Sequence, residues 1–471
     1  MIGLRGHIER AFTRSLSAAV VGTLVLSATV AWAAPRAAGK GAGSRYPVRA
    51  EYPRKFAQPS EFAHSSSSTG GASAGAGTPK NTAGARTKKT QSKHGHGLRG
   101  NPARALLAYR AMQQSYYIPG TGLYEGEPYS FLWPFSQALA ATVGVANISG
   151  QSAAAARSYP SELRVRLFGL NKYWNPSGAV GEPLPGEQPE VEGEGQGSEA
   201  SEVAGIPPPA VPSFNGEVVP PGGASYYDDN EWVGIELVRL YRLRHEAALL
   251  EKAEQIMAFV MAGWSSSPKL ACPGGIPFSD SPSNTDRNTI TNGPAAELGA
   301  QLYRLTGNGA YLQFALNAYE WVRSCLLQPS GLYADHIRPH GVIDPTLWSY
   351  TQGSMIGAGV LLYQATGNGA FLYQARQVAK AALSYFTLGL LLSENPFFPA
   401  VYLRNLMYLD AVTHDPPGAR LAQSYVDSLW VHQRLTSGLF VFGSPPSSQL
   451  LTQAAVVQVY ALLSTPPATY F

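Results

Sequence analysis

Cysteine, histidine and charge are all scarce in this chain of 471 residues, which has two cysteines, nine histidines and 14% charged residues. So few cysteines exclude a disulfide-rich scaffold, and no Cys and His array with metal-ligand spacing occurs in the sequence. A glycine-rich phosphate loop and a Ser-His-Asp order are missing as well. We therefore expect no metal and no other cofactor. Cys272 and Cys325 are predicted to form one disulfide or to be two buried thiols.

Long apolar runs are also scarce, and the main one lies near the N-terminus. Arg5, Arg10 and Arg14 precede it, and it ends in small residues at Ala33. This pattern predicts a signal peptide over residues 1–33, with cleavage after Ala33. The alternative is an uncleaved membrane anchor, for which the run is short, because a span needs about 20 residues. We expect a secreted or extracytoplasmic protein.

The basic residues are concentrated in one segment. Residues 34–100 hold 12 Lys and Arg against 2 Asp and Glu, and they are rich in Ser, Gly and Ala. Such a composition predicts a disordered, low-complexity linker. It is either a plain spacer or a tether that contacts an anionic cell envelope. Because basic charge is confined to this linker, we do not expect nucleic-acid binding.

Residues 101–471 have the opposite balance, with 20 basic against 28 acidic residues. Within them, residues 178–224 are rich in Pro and Gly and contain eight Glu but no Lys or Arg. An insertion of this length is uncommon in a compact domain. We predict that its middle is disordered and that its C-terminal end is ordered.

A helical repeat organises the rest of this domain. Leu240-Tyr241, Leu302-Tyr303 and Leu362-Tyr363 occupy similar helices, separated by 62 and 60 residues, and a second helix follows each. Gly307 and Gly367, each followed by Asn, are typical helix ends. Six such hairpins fit into the domain, with residues 450–463 forming a last helix that pairs with an early one. We predict an all-α fold, an (α/α)6 toroid; an open solenoid is the alternative.

In a closed toroid, the first residues of the inner helices share one rim. Polar and aromatic residues recur at these starts, which are Trp133-Pro134 and the segments 228–232, 286–292 and 347–353. Asp228 and Asp229 supply two adjacent carboxylates there, which fits an acid and a base or nucleophile. Structural interpretations remain open: Asp229 or an Asn could cap a helix, and Gln352 could satisfy a buried backbone group.

The chain resembles glycoside hydrolase family 76, which contains bacterial endo-α-1,6-mannanases related to fungal wall-remodelling transglycosidases. The resemblance rests on residues 227–230 with Trp232, and on segments 287–292, 347–353 and 397–406. It implies an (α/α)6 barrel. It also implies that Asp228 is the nucleophile and Asp229 the general acid/base of a retaining mechanism, whose carboxyl groups lie about 5–5.5 Å apart.

The resemblance further suggests which side chains bind substrate, since aromatic faces stack on sugar rings and amides orient hydroxyl groups. The candidates are Trp133, Tyr227, Asn230, Trp232, Asn288, Asn292, Trp348, Tyr350 and Gln352. The chain departs from the family pattern at Thr351, where Asn is expected, at Pro399 in place of a Lys-Gly step, and in the turn at 272–279. These departures bear on the subsites that select the glycan.

The predicted function is that of a secreted, monomeric retaining glycoside hydrolase acting on α-1,6-mannan or a related α-mannose glycan. A transglycosidase of the same fold is a close alternative. Sugar epimerases and unsaturated-uronide hydrolases share the toroid, but epimerases need cleft histidines, for which only His336 and His340 lie near the rim. A non-catalytic glycan-binding protein would not require the intact Asp228-Asp229 pair.

Overall fold

The computed structural model describes residues 98–126, 128–151, 153–175, 179–181, 225–282, 284–443 and 448–471, with side chains described from residue 158 onward in the third helix. The predicted signal peptide, almost all of the linker and residues 182–224 of the insertion lie outside the described residues. No helix among those described is both long and apolar enough to cross a membrane.

The described chain is mainly helical. Its helices are α1 (Gly100–Tyr116), α2 (Leu132–Ala146), α3 (Ala153–Leu170), α4 (Tyr227–Arg244), α5 (Ala247–Ala262), α6 (Thr289–Thr306), α7 (Gly309–Leu326), α8 (Ser349–Thr366), α9 (Gly369–Tyr385), α10 (Leu388–Ser393), α11 (Phe397–Thr413), α12 (Pro417–His432) and α13 (Leu450–Leu462). There are also two short 3-10 helices, Asn171–Tyr173 after α3 and Pro467–Thr469 after α13.

Six inner helices form a closed ring. In ring order they are α2, α4, α6, α8, α11 and α13, and α13 packs back against α2. An outer helix covers each of them: α3, α5, α7, α9 and α12 cover the first five, and α1 covers α13. The toroid prediction is therefore confirmed over the described residues, and the open solenoid is not formed. The last helix pairs with the first, as expected.

The predicted helix ends at glycine are confirmed. Gly307 and Gly367 end α6 and α8 in the left-handed conformation, with φ of 72° and 73°. The residue after each glycine, Asn308 or Asn368, then begins the next helix by accepting a hydrogen bond from the backbone two residues later. Glycine is favoured at such positions because it has no Cβ. One short turn thus connects the two helices of each hairpin.

The all-α prediction misses a small antiparallel sheet in the connections. Its strands are β1 (Arg287–Asn288), β2 (His336–Ile337) and β3 (Ile343–Asp344), in the order β1-β2-β3. Asn288 lies opposite His336, which in turn lies opposite Asp344. These pairings satisfy backbone groups that the long connections would otherwise bury without partners.

The connections that enter inner helices are held by buried amide side chains. Asn230, Asn292 and Gln352 are each the fourth residue of an inner helix, and none is exposed. Each amide accepts from the N–H of one connection residue and donates to the C=O of the same residue, namely Val180, Ile276 and Tyr333. We call these three residues the amide clamps. The side-chain oxygen of Gln453 in α13 accepts the corresponding hydrogen bond, from the N–H of Phe440.

Close packing of α8 on α11 depends on a missing side chain. A Cβ at Gly357 would lie 2.0 Å from Oδ1 of Asn405 and 2.4 Å from Oε1 of Glu297. Glycine at this position therefore leaves room for two polar side chains inside the ring. A side chain here would displace groups that have no free space to move into, because the interior is tightly packed.

A disulfide and a buried arginine hold the connection between α5 and α6. Cys272 is bonded to Cys325 of α7, with 6.1 Å between their Cα atoms, so the disulfide alternative is the one formed. The Arg287 guanidinium donates to the carbonyls of Ala271, Cys272 and Gly274 at 2.8, 2.6 and 3.0 Å. The turn at 271–275 is thereby fixed against the start of α6.

We expect the substitution Asn292→Ala to lower the free energy of unfolding by about 2 kcal/mol, because it leaves the buried N–H of Ile276 without a partner, while the Ile276 C=O keeps its bond from the Thr291 hydroxyl. Denaturant-induced unfolding measures the effect. The control is Gln313→Ala, an exposed amide on α7, which should cost less than about 0.5 kcal/mol. Equal costs for the two substitutions would contradict the clamp interpretation.

Candidate active site

The two predicted catalytic aspartates lie in the first turn of α4. The N-cap residue is Tyr226, and its side chain makes no capping hydrogen bond. Asp228 and Asp229 are 8% and 7% exposed. Asp229 and Asn230 are therefore inside the helix, so neither is the N-cap residue. The N-terminus of a helix carries partial positive charge, which favours a carboxylate in this turn.

Burial dominates the electrostatics of Asp228. It raises the pKa of this carboxyl to about 7, against the opposing effect of backbone N–H groups at residues 228 and 229. Oδ1 of Asp228 is buried and has no hydrogen-bond partner among the described residues. A carboxyl with a raised pKa can be protonated near neutral pH. The raised pKa thus falls on the residue predicted to be the nucleophile.

Further charged groups lie inside the ring. Glu231 and Glu297 are fully buried, and Arg404 of α11 is 6% exposed. Arg404 Nη2 lies 3.7 Å from Oε2 of Glu297, and its Nη1 lies 3.5 Å from Oε1 of Glu236. Arg239 also pairs with Glu236, at 3.2 Å. Burial raises the pKa of Glu297 to about 8, although the charge of Arg404 lowers it.

Aromatic side chains from the starts of three inner helices, α2, α4 and α8, meet around Phe397 and Phe398 at the start of a fourth, α11. Trp133 and Trp232 lie 5.0 and 5.6 Å from Phe397 between ring centroids. Trp348 and Tyr350 lie 5.3 and 4.2 Å from Phe398, and the Tyr350 ring is stacked on it. Trp133, Trp348 and Tyr350 keep partial exposure. We call these six residues the aromatic floor.

The aromatic floor and the aspartates are close to each other. Burial raises the pKa of Tyr350 well above its ordinary value, and the negative charges of Asp335, Asp228 and Glu394 add to this rise. Trp232 is one helical turn after Asp228 on the same helix, so the two side chains lie on one face. The indole N–H groups of Trp133 and Trp232 have no acceptor among the residues described. Buried indole groups usually have a partner.

Four of the residues predicted to bind substrate are placed elsewhere. The ring of Tyr227 is stacked on Phe259 of α5 at 4.7 Å, between the two helices of its hairpin. Asn230, Asn292 and Gln352 are the amide clamps, with both ends of each amide occupied by backbone groups. Their predicted contact with sugar hydroxyls has to be corrected, because each amide is fully buried and both its oxygen and its NH2 group already bond the backbone. For Gln352, the structural interpretation is the one the fold adopts.

Asn288 retains the means to contact a ligand. It is the N-cap residue of α6, and its Oδ1 is buried with no partner in the described part of the chain. The histidine across the sheet, His336, has its Nδ1 2.9 Å from Asp335 and its Nε2 3.6 Å from Asp286. Burial disfavours the charged imidazole, but these carboxylates outweigh it and raise the pKa of His336. His340 is exposed.

No role was predicted from the sequence for Phe397, Phe398, Glu231, Glu297 or Arg404. Two adjacent Phe residues at the start of an inner helix were a usable signal, because the other helix starts also carry aromatic residues. The buried charges had no comparable signal. Among the described residues, no group of three or more His, Cys, Asp or Glu side chains is arranged to hold a metal ion.

The closed (α/α)6 ring, with paired carboxylates and aromatic side chains at one rim, is the arrangement expected of a helical-toroid glycoside hydrolase. The family model for glycosyl hydrolase family 76 matches residues 216–411, so the chain is similar to this family over that segment. The resemblance stated from the sequence is thereby confirmed.

Individual relatives are distant. The mannan endo-1,6-alpha-mannosidase DCW1 of Saccharomyces cerevisiae is 25% identical over 156 residues, which are 31% of this chain and 34% of that protein. The chain therefore matches about a third of this curated relative's length.

Solved structures show the same fold over a longer span. A family 76 glycoside hydrolase from a bovine Bacteroides thetaiotaomicron strain has a TM-score of 0.63 and 20% identity, covering 78% of both chains. An inactive variant of the alpha-1,6-mannanase GH76A of Salegentibacter sp., in complex with alpha-1,6-mannotriose, has a TM-score of 0.59 and 21% identity, covering 78% of this chain and 99% of that one.

We expect Asp228→Asn to raise the free energy of unfolding at pH 8 by about 1–3 kcal/mol. The pKa of Asp228 in the folded protein is raised above the unfolded value of 3.8, so the native state binds this proton more tightly than the unfolded state does. The stability that the proton confers is full below pH 4 and is lost as pH rises through about 7, so at pH 8 the wild type has lost it. The amide does not ionise, and the variant loses this pH dependence.

The measurement is chemical unfolding at pH 4 and pH 8. Glu251→Gln provides the control, because the Glu251 side chain is exposed on outer helix α5 and its substitution should leave the pH dependence unchanged. A variant Asp228→Asn that is no more stable than the wild type at pH 8 would refute the expectation.

Proposed function

We propose that this protein is a retaining glycoside hydrolase of α-1,6-mannan or a related α-mannose polysaccharide, with Asp228 as nucleophile and Asp229 as general acid/base. The observation that carries the proposal is the position of the two buried aspartates beside the aromatic floor, at the rim where inner helices begin. Acids for the chemistry and apolar faces for sugar rings are therefore available in one place.

The two aspartates divide one reaction into two steps. Asp228 attacks the anomeric carbon while Asp229 gives its proton to the departing glycosidic oxygen, and a glycosyl ester on Asp228 results. Asp229 then takes a proton from water, which attacks the same carbon and releases Asp228 as a carboxylate. An acceptor sugar hydroxyl in place of water gives transglycosylation, so the same residues serve either outcome.

The burial of Asp228 affects which aspartate is assigned as nucleophile and which as general acid/base. A nucleophile has to be ionised, and a pKa of about 7 leaves Asp228 partly protonated at neutral pH. The reverse assignment, with Asp228 as the acid, therefore has a physical basis. Azide rescue of the two Asp→Asn variants on an activated aryl α-mannoside separates the assignments. A nucleophile variant yields the β-azide, whereas an acid/base variant yields the α-azide, because only the latter still passes through the glycosyl-enzyme.

The names of relatives support the choice of substrate. DCW1 is a mannan endo-1,6-alpha-mannosidase, and the Salegentibacter protein is an alpha-1,6-mannanase whose inactive variant has two consecutive aspartates replaced. A consecutive pair is what Asp228 and Asp229 form here. The Cys272–Cys325 disulfide supports a location outside the cytoplasm, because disulfides persist in oxidising compartments. We propose that the protein acts there as a monomer.

We expect release of reducing ends from α-1,6-mannan by the wild type, and a loss of about 10²–10⁴-fold in kcat/KM for Asp229→Asn, since general acid–base catalysis contributes about that factor. Asp228→Asn should lose at least as much, because no glycosyl-enzyme can form. Asp415→Asn is the control and should retain wild-type activity. A folded wild type that binds mannan but never cleaves it would replace the proposal with a glycan-binding role.

We expect Trp348→Ala to raise KM about fivefold to tenfold with little change in kcat, because an aromatic face that stacks on a sugar away from the reacting bond contributes about 1 kcal/mol of binding. Steady-state kinetics on mannan oligosaccharides measure both constants. Tyr373→Ala, which changes a 65% exposed aromatic residue on outer helix α9, should alter neither. An unchanged KM for Trp348→Ala would remove this residue from the substrate site.

A further inference from the structure

Glu231 is a third carboxyl behind the aspartate pair. It follows Asp228 by three residues on α4, so the two side chains are neighbours on successive turns of one helix. Glu231 is 0% exposed, and neither of its oxygens has a hydrogen-bond partner within the described ranges. The mechanism proposed above does not use this residue.

The ionisable groups around Glu231 are mostly acidic. Asp228 and Asp229 face it from α4, and Glu297 faces it from α6. Burial raises the pKa of Glu231 well above its usual value, and the negative charges of these three carboxylates add to the rise. The Tyr227 hydroxyl is a further neighbour.

Cations nearby are engaged elsewhere. Arg404 of α11 contacts Glu297 and Glu236, and Arg239 contacts Glu236. α2 has no ionisable residue. On α5, Lys252 lies 4.5 Å from the centre of the Trp174 ring, while Glu254 accepts from the Tyr311 hydroxyl and Glu251 is exposed. No cation in the described part of the chain forms an ion pair with Glu231.

The buried carboxyls of Asp228, Glu231 and Glu297 differ in what stabilises their charge. Asp228 has backbone N–H groups at the positive end of α4, and Glu297 has Arg404 at 3.7 Å. Glu231 has neither. A buried carboxyl without a cation or donor is the one that keeps its proton, since isolated buried charge is the most costly. A neutral carboxyl still has a dipole and can reduce the cost of charge beside it.

We propose that Glu231 is a positioning residue: as a neutral carboxyl on the inner face of α4, it solvates the charge of Asp228 and allows that buried nucleophile to ionise near neutral pH. The role in catalysis rests on the proposed function. The effect on Asp228 itself does not, and it can be measured in the absence of any substrate.

The experiment measures the acid dissociation constant of Asp228 in full-length protein, from the infrared carbonyl band of its protonated form. The band is isolated by subtracting the pH titration of the same protein with Asp228→Asn added, and this is done separately for the wild type and for each Glu231 variant. The backgrounds are wild type, Glu231→Gln, which keeps a neutral polar group of the same size, and Glu231→Met, which keeps the length but is apolar. Glu231→Leu replaces the Met variant if the latter does not fold cooperatively.

We expect Glu231→Gln to leave the dissociation constant of Asp228 within twofold of the wild type, and Glu231→Met to lower it about tenfold. If the apolar variant stays within twofold, Glu231 only fills space and the proposal is wrong. A tenfold or greater rise in the Gln variant would also overturn it, because that result means that the wild-type Glu231 is charged.

The pH dependence of kcat/KM on α-1,6-mannan gives the catalytic arm. The acid limb should move up by about one pH unit in Glu231→Met and return to the wild-type position in Glu231→Gln, whereas a packing defect would lower the whole profile without moving the limb. Failure of the proposed function is seen separately, as an inactive wild type. In that case the infrared titration still supports or overturns the effect of Glu231 on Asp228.

Discussion

A buried side-chain amide that bonds both backbone groups of a single residue is the interaction on which the rim depends. Asn230, Asn292 and Gln352 each fix the connection that enters their helix, so the first turn of that helix has one position relative to its neighbours. Without such bonds, long connections would carry buried backbone groups with no partners. Ring closure by α13 against α2 then sets the positions of all the inner helices together.

Inside the helical ring, the fold buries carboxyl groups at positions where ionising them has a high desolvation free energy. Asp228, Glu231 and Glu297 are buried around an interior whose described cations, Arg239 and Arg404, are already paired. Burial raises the pKa of each of these carboxyls. The proposed glycosidase mechanism needs carboxyls that are protonated and ionised at the same pH, and a partly desolvated cluster provides that difference at the expense of stability.

The sequence predicted the architecture well, because the Leu-Tyr repeats and the Gly-Asn helix ends are local patterns with direct structural meaning. The pairing of the last helix with an early one followed from the room for six hairpins in the domain. For the candidate site, the sequence predicted some side-chain positions correctly and others wrongly. Each residue of a helix is turned about 100° from the preceding one, so Asn230, two residues after Asp228, faces the connection while Trp232 returns to the inner face. Residue type and rim position were visible in the sequence, but the direction of each side chain was not.

The Cys272–Cys325 bond closes a covalent loop with a sequence separation of 53 residues, which contains all of α6 and most of α7. Residues 280–282 in this loop are exposed. A protease that cuts the chain there would produce two polypeptides that stay covalently joined through the disulfide, with α6 in the C-terminal one. The ring could therefore outlast a cleavage at its rim, and the cut would become visible as separate fragments only after reduction.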